Sequence, residues 1–188
     1  GNFWYLYSGA SYYSNALFKY YPSLNMWAWM WGDTTWMTVD VKYGDTICDF
    51  SPINEKEEIT PWPRVECSAC WIDQCNNLWL FGGSGGGGFL NDLVYYNTNR
   101  NIWVRVGLDT ITNSVGYWGS QGVSNPNNNP PNRIGALPFM DDEGNLWFFG
   151  GAGYPGANFP YADIWRFGMD SGCSPCGDEF AHISALEN

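Results

Sequence analysis

Two runs along the chain, 78–83 (LWLFGG) and 146–151 (LWFFGG), are apolar at every position until they end on a pair of glycines. Short runs without polar alternation predict strands buried on both faces. A polar turn precedes each run, CNN at 75–77 and DEGN at 142–145, and a shorter apolar segment precedes each turn. That order predicts hairpins. After each glycine pair come a glycine-rich loop, an Asp-aliphatic step (Asp92-Leu93 and Asp163-Ile164) and another apolar segment. In the first of these the next turn is NTNRN and the next strand IWVRV. No segment repeats apolar residues at helical spacing for three turns, so the pattern predicts strands and turns only.

The same pattern begins the chain. In WYLYSGASYYSNALFKYYPSLNMWAWM, at 4–30, Ser8-Gly9 stands for the glycine pair and Leu17 for the aliphatic position. Trp27 follows Leu17 at the spacing by which Trp103 follows Leu93. Upstream, Arg64 and Arg133 precede Gly82, Gly83 and Gly150, Gly151 at nearly equal distances. Three copies result, around 1–36, 60–107 and 130–168, with Gly9, Gly83 and Gly151 in register. Segments 37–59 and 108–129 are insertions, and 169–188 is a tail containing Cys173 and Cys176 that reads as the start of a Cys-rich module. Four antiparallel strands per copy, joined by regular turns, describe a propeller blade. A glycine pair closing a strand implies close approach of another backbone or ring.

The glycine pair after an apolar strand, the later tyrosine and the spaced tryptophan resemble the kelch motif over about residues 2–167. The resemblance implies an all-β, kelch-type β-propeller segment. It extends to long-repeat relatives, with Tyr43-Gly44 and the stretch GYWGSQGVSNPNNNPPNR at 116–133. Copy one departs in having Ser8 and Tyr5 where glycine and tryptophan are expected, and copy three lacks the late tryptophan. Propellers close with about 4–8 blades. The ring is therefore incomplete within this chain, and other blades, from the same longer chain or a neighbouring subunit, are expected partners. The longer-chain reading is preferred, since Gly1 falls at the start of a strand.

Composition then restricts the partners. The net charge of −11 supplies no basic patch for nucleic acid, and no apolar run approaches the ~18 residues of a membrane span. Six cysteines with few lysines point to an extracellular, secreted or cell-surface, disulfide-bonded protein. The preferred pairing is Cys48–Cys67, Cys70–Cys75 and Cys173–Cys176. The CxxC pairs at 67–70 and 173–176 lie too far apart for a zinc ribbon, so no metal or cofactor is assigned.

Catalytic chemistry finds little purchase. His182, in the tail, is the sole histidine, which leaves the blades without a Ser/His/Asp or Cys/His arrangement. Asp141, Asp142 and Glu143 read as a solvated hairpin tip, and Glu55, Glu57 and Glu58 as a solvated insertion. The 82–88 glycine run lacks the Gly-Lys-Ser/Thr ending of a phosphate loop and reads as a flexible rim loop. Rim loops often carry binding residues, which nominates Tyr12, Tyr13, Tyr154, Phe159 and Tyr161. Trp27, Trp29 and Trp31 alternate along one strand and so share a face. Trp27 is read as core; Trp29 and Trp31 either pack against the insertion or form an aromatic platform for a sugar or protein. Arg64 and Arg133 are read as ties between adjacent blades. The sequence therefore predicts a non-catalytic extracellular binding or assembly module, a propeller scaffold presenting rim loops to protein or glycan partners within a larger protein or assembly. The alternatives are a fragment of a galactose-oxidase-like copper enzyme, with its active site outside this chain, and an intracellular kelch substrate adaptor.

Overall fold

The computed structural model describes residues 4–7, 16–32, 61–62, 64, 68–85, 87–106, 111–154, 159–169 and 186–187. Its turns form where the sequence places them. Asn25, Asn76 and Asn101 adopt positive φ (49°, 62° and 58°), and Gly144 does the same at 85°. Asparagine and glycine tolerate this left-handed region, which most side chains avoid. A side chain also secures two of these turns. Tyr20 Oη donates to Asn25 Oδ1 at 2.8 Å, and Tyr96 Oη donates to Asn101 Oδ1.

The chain is all-β, with no helix among the described residues. The first sheet joins β1 (Trp4–Tyr7), β2 (Leu17–Tyr21) and β3 (Met26–Trp31) in that order. The second joins β4 (Ala69–Ile72), β5 (Leu78–Phe81), β8 (Leu93–Asn97) and β9 (Ile102–Arg105). The third joins β10 (Leu137–Met140), β11 (Leu146–Phe149), β14 (Ile164–Phe167) and β15 (Leu186–Glu187). All neighbours are antiparallel and the register repeats: Tyr7↔Leu17, Phe81↔Leu93 and Phe149↔Ile164 occupy the same place in the three sheets. The sequence predicts three strands for copy three. The structure adds a fourth from the tail, where Leu186 pairs with Phe167 and Glu187 with Arg166.

The glycine loops are more ordered than expected. Ser84–Gly85 (β6) pairs with Gly88–Phe89 (β7), and Ala152–Gly153 (β12) with Phe159–Pro160 (β13), so each loop folds into a short ribbon.

Two apolar cores lie between consecutive sheets. Alternation along each strand divides the second sheet into two faces. Its leading face (Ala69, Trp71, Trp79, Phe81, Leu93, Tyr95) packs on Leu146, Phe148, Trp165 and Phe167 of the third sheet. Its trailing face (Leu78, Leu80, Val94, Tyr96, Trp103) packs on Leu17, Met30 and Trp31 of the first. The rings interlock: Phe81 stacks on Phe148 at 4.5 Å and Trp79 meets Phe167 at 5.9 Å between centroids. Trp71 Nε1 donates across the same boundary to the carbonyls of Phe139 and Trp147, at 2.9 and 3.1 Å. Three sheets stacked face to face without closing form an incomplete propeller-like segment.

One register feature corrects the sequence. A β-bulge between Leu17 and Phe18 shifts the pairing of β2 with β3, so that Leu17 faces Trp31 and Phe18 faces Trp29. Bulges of this kind break strict alternation. Trp31 turns towards the second sheet, 6.2 Å from Trp103, while Trp27 and Trp29 remain outside. The three tryptophans therefore do not share one face. Nor is Trp27 core: it is 55% exposed where its repeat counterpart Trp103 is 2% exposed. Both rings pack on the tyrosine opposite, Tyr20 and Tyr96 respectively. The difference is that Trp103 has a neighbouring sheet over it.

Candidate functional site

The recurring arginines are the centres of two clasps built alike. Arg64 Nη1 donates to the Gly82 carbonyl and to Asp92 Oδ1, each at 2.7 Å, and Nη2 donates to Asp92 Oδ2. Arg133 Nη1 donates to the Gly150 carbonyl at 2.9 Å and to Asp163 Oδ1 at 2.7 Å, and Nη2 reaches Asp163 Oδ2 at 2.8 Å. The planar guanidinium matches the carboxylate fork in both. Each clasp ties the segment entering a sheet to its strand-end glycine and to the Asp that opens the third strand. The side chains thus brace their own sheets.

Arg133 also joins neighbours, through its backbone. Gly83 N–H donates to its carbonyl at 2.8 Å, and its own N–H donates to the Leu90 carbonyl at 3.1 Å. This close approach explains the glycine pair. A Cβ on Gly82 would sit 2.6 Å from the Arg133 carbonyl oxygen, and one on Gly151 would sit 2.7 Å from that of Ile134.

A second repeated device lies in the first hairpin of each four-stranded sheet. Asp73 Oδ1 accepts from the Asn77 N–H, and Asp73 Oδ2 accepts from Asn77 Nδ2 and Trp79 Nε1 (2.8, 3.0 and 2.8 Å). Asp141 does the same for Asn145 and Trp147 (2.8, 2.8 and 2.7 Å). Each Asn then accepts a backbone N–H from further on, Thr98 at 3.1 Å and Met169 at 3.0 Å. Asp141 is therefore a structural acceptor rather than an idle surface charge, which corrects the reading of the hairpin tip. Burial pushes its carboxyl up, but the bonds from Trp147 and Asn145 and the charge of Arg166 outweigh this, and the net displacement is downward. The shared spacing Asp-x-x-x-Asn-x-Trp, at 73–79 and 141–147, was the available signal.

The Arg133 clasp supports an aromatic rim. Its guanidinium lies between the rings of Phe148 and Tyr161, 5.0 and 4.4 Å from the centroids. Trp118 packs edge-on to Tyr161 at 6.1 Å and against Trp165 at 5.6 Å. Trp165 Nε1 in turn donates to Asp163 Oδ2 at 2.6 Å. Tyr154 directly follows the ribbon strand Ala152–Gly153, and its N–H donates to Asn132 Oδ1 at 2.9 Å. Trp118, Tyr154 and Tyr117 are exposed, and Tyr161 is half-buried. Burial raises the Tyr161 phenol above its ordinary range, with Arg133 lowering it and Asp163 raising it. The result is an edge of partly exposed rings packed on the Arg133–Asp163 clasp and on Trp165. Trp118 and Tyr117 were not singled out in the sequence. They lie in an insertion, where the repeat offers no positional guide.

Of the other nominated residues, Tyr12, Tyr13 and Gly9 lie outside the described residues, and Phe159 is placed by its backbone pairing alone. Trp29 is exposed, with Nε1 donating to the Trp31 carbonyl at 2.8 Å. It stands on the first sheet's trailing side and forms no platform with Trp31. Cys70 carries a free thiol and Cys75 does not, so the expected Cys70–Cys75 pair is not formed. Cys70 points away from the hairpin core on the exposed alternation of β4. Cys48, Cys67, Cys173 and Cys176 lie outside the described residues.

No family model matches the sequence, and no curated protein matches it.

Proposed function

We propose that this chain is a kelch-type propeller segment that works outside the cell as a non-catalytic binding module, taking a protein or glycan at its rim. The observation that carries the reading is the rim itself. Trp118, Tyr154 and Tyr161 offer apolar ring surface to solvent while the Arg133–Asp163 clasp and Asn132 hold their supports rigid. Rings fixed before binding lose little freedom on contact, which is how aromatic anchors come to dominate interfaces. Sugar rings present flat C–H faces to such rings, and the neighbouring asparagine-rich segment supplies amide donors and acceptors.

Glycan arrays followed by titration calorimetry test this. Trp118→Ala is expected to weaken binding at least tenfold, and Trp29→Ala to leave it unchanged. Equal affinity in the parent and Trp118→Ala would remove the rim from the account. The extracellular assignment is tested by thiol counting on the native protein. Fewer than six reactive thiols is the expected result, and six would overturn it.

A further inference from the structure

The aromatic rim is built from stretches of chain that carry no charge. No Asp, Glu, Lys, Arg or His occurs from Thr110 to Asn132, nor from Gly144 to Ala162, although 14% of the chain is charged and its net charge is −11. The first stretch contains Tyr117 and Trp118, and the second Tyr154 and Tyr161. Arg133 and Asp163, the residues that end them, are engaged with each other at 2.7 and 2.8 Å. Their side chains are only 1% and 11% exposed, and Arg133 Nε donates to the Pro131 carbonyl at 3.2 Å. The other described charges of the third sheet, Asp141, Asp142, Glu143, Arg166 and Glu187, lie towards its hairpin end, away from the glycine pair.

A charged ligand therefore meets no counter-charge at the rim among the described residues. Desolvating a charge without a partner is costly, and for an anion the net negative field of the chain adds repulsion. A protein partner is disfavoured on the same ground, because about a quarter of the residues of an ordinary protein are charged. An uncharged sugar brings no such cost. Its C–H faces suit rings, and its hydroxyls both donate and accept, as amides and hydroxyls do. The segment that carries Trp118 displays those groups: Ser120, Gln121, Asn125 and Asn127 are all exposed. Its own bonds hold it in place. Tyr117 and Asn129 exchange backbone hydrogen bonds at 2.6 and 2.8 Å, and Asn128 Nδ2 donates to the Val123 carbonyl at 2.9 Å. Groups fixed before contact lose little freedom on binding.

We propose that the rim takes an uncharged glycan, with the C–H faces of the sugar on Trp118 and Tyr161 and its hydroxyls on the amides and hydroxyls of residues 120–127. This rests on the rim reading of the proposed function and narrows it from protein or glycan to one ligand chemistry.

The test is titration calorimetry of the 188-residue chain with matched pairs of oligosaccharides. The neutral members are built from glucose, galactose, mannose or N-acetylglucosamine, and the acidic members are their uronate, sulfated or sialylated counterparts. A neutral member is expected to bind at least about tenfold more tightly than its acidic counterpart. Its affinity is expected to stay within about twofold from dilute buffer to about 0.5 M salt, because no ion pair is there to be screened. Trp118→Ala, checked for folding by circular dichroism, is expected to lose the neutral ligand. Equal or tighter binding of the acidic members, lost in Trp118→Ala, overturns the proposal and leaves the rim standing as a binding surface. Neutral binding that Trp118→Ala retains in full overturns the rim reading and the proposal together. Binding of no oligosaccharide in either set overturns the proposal and leaves the rim to a protein.

Discussion

Asp73 and its indole partner show how much one carboxylate holds. Trp79 is fully buried, and its N–H has Asp73 Oδ2 as acceptor. In Asp73→Ala that donor is stranded along with the Asn77 amide, and an unmet buried group costs about 1–3 kcal/mol. Urea unfolding should show a loss of that size. Asp141 adds a pH dependence. Its carboxyl titrates below the ordinary carboxylate range in the folded chain, so its contribution is full above the unfolded value of about 4 and is lost as pH falls through the lower folded value. Thermal melts on acidification should therefore separate the parent from Asp141→Asn, the variant losing less stability below about pH 4. At this scale the sequence was legible where a residue type has one main use. The recurring arginines read as hydrogen-bonding ties because a buried guanidinium needs partners, although their side chains brace their own sheets. Asp141 was legible only through the spacing it shares with Asp73, because a carboxylate in a turn taken alone reads the same whether it faces water or an indole. Trp27 was misplaced for a related reason: its burial belongs to a neighbouring sheet, which its own strand does not encode.

The elements depend on where the backbone is crowded. Gly82 and Gly87 both have positive φ, 65° and 86°, yet a Cβ on Gly82 would collide with the Arg133 carbonyl while one on Gly87 would meet open space. Gly87→Ala is expected to cost about 1–2 kcal/mol for the left-handed backbone alone. Gly82→Ala should cost clearly more, since the 131–134 segment must move as well. Equal losses in thermal unfolding would show that the segment carrying Arg133 does not lie where the structure puts it. The strands, their order and their turns were readable from apolar runs ended by glycine and from asparagine-rich breaks. The ribbons in the glycine loops were not, because glycine permits a paired or an open loop equally. The fourth strand of the third sheet was hidden too: Leu186–Glu187 lie well past the repeat, in a tail without its pattern.

For the molecule as a whole, each sheet is a unit whose two faces need neighbours. The shared register of the three sheets made that architecture legible, since the same apolar positions recur and each set requires cover. Which residues face which neighbour followed only from the coordinates, because the bulge at Leu17/Phe18 resets the alternation in the first sheet. Face-to-face stacking of the second and third sheets is the claim on which their shared core and the backbone contact of Gly83 with Arg133 both depend. A double-mutant cycle on Phe81→Leu and Phe148→Leu, read by urea unfolding, tests it most directly, because these rings belong to different sheets and stack at 4.5 Å. A coupling of about 0.5–1.5 kcal/mol, the usual range for an aromatic pair, is the predicted result. Strictly additive losses would contradict the stacking.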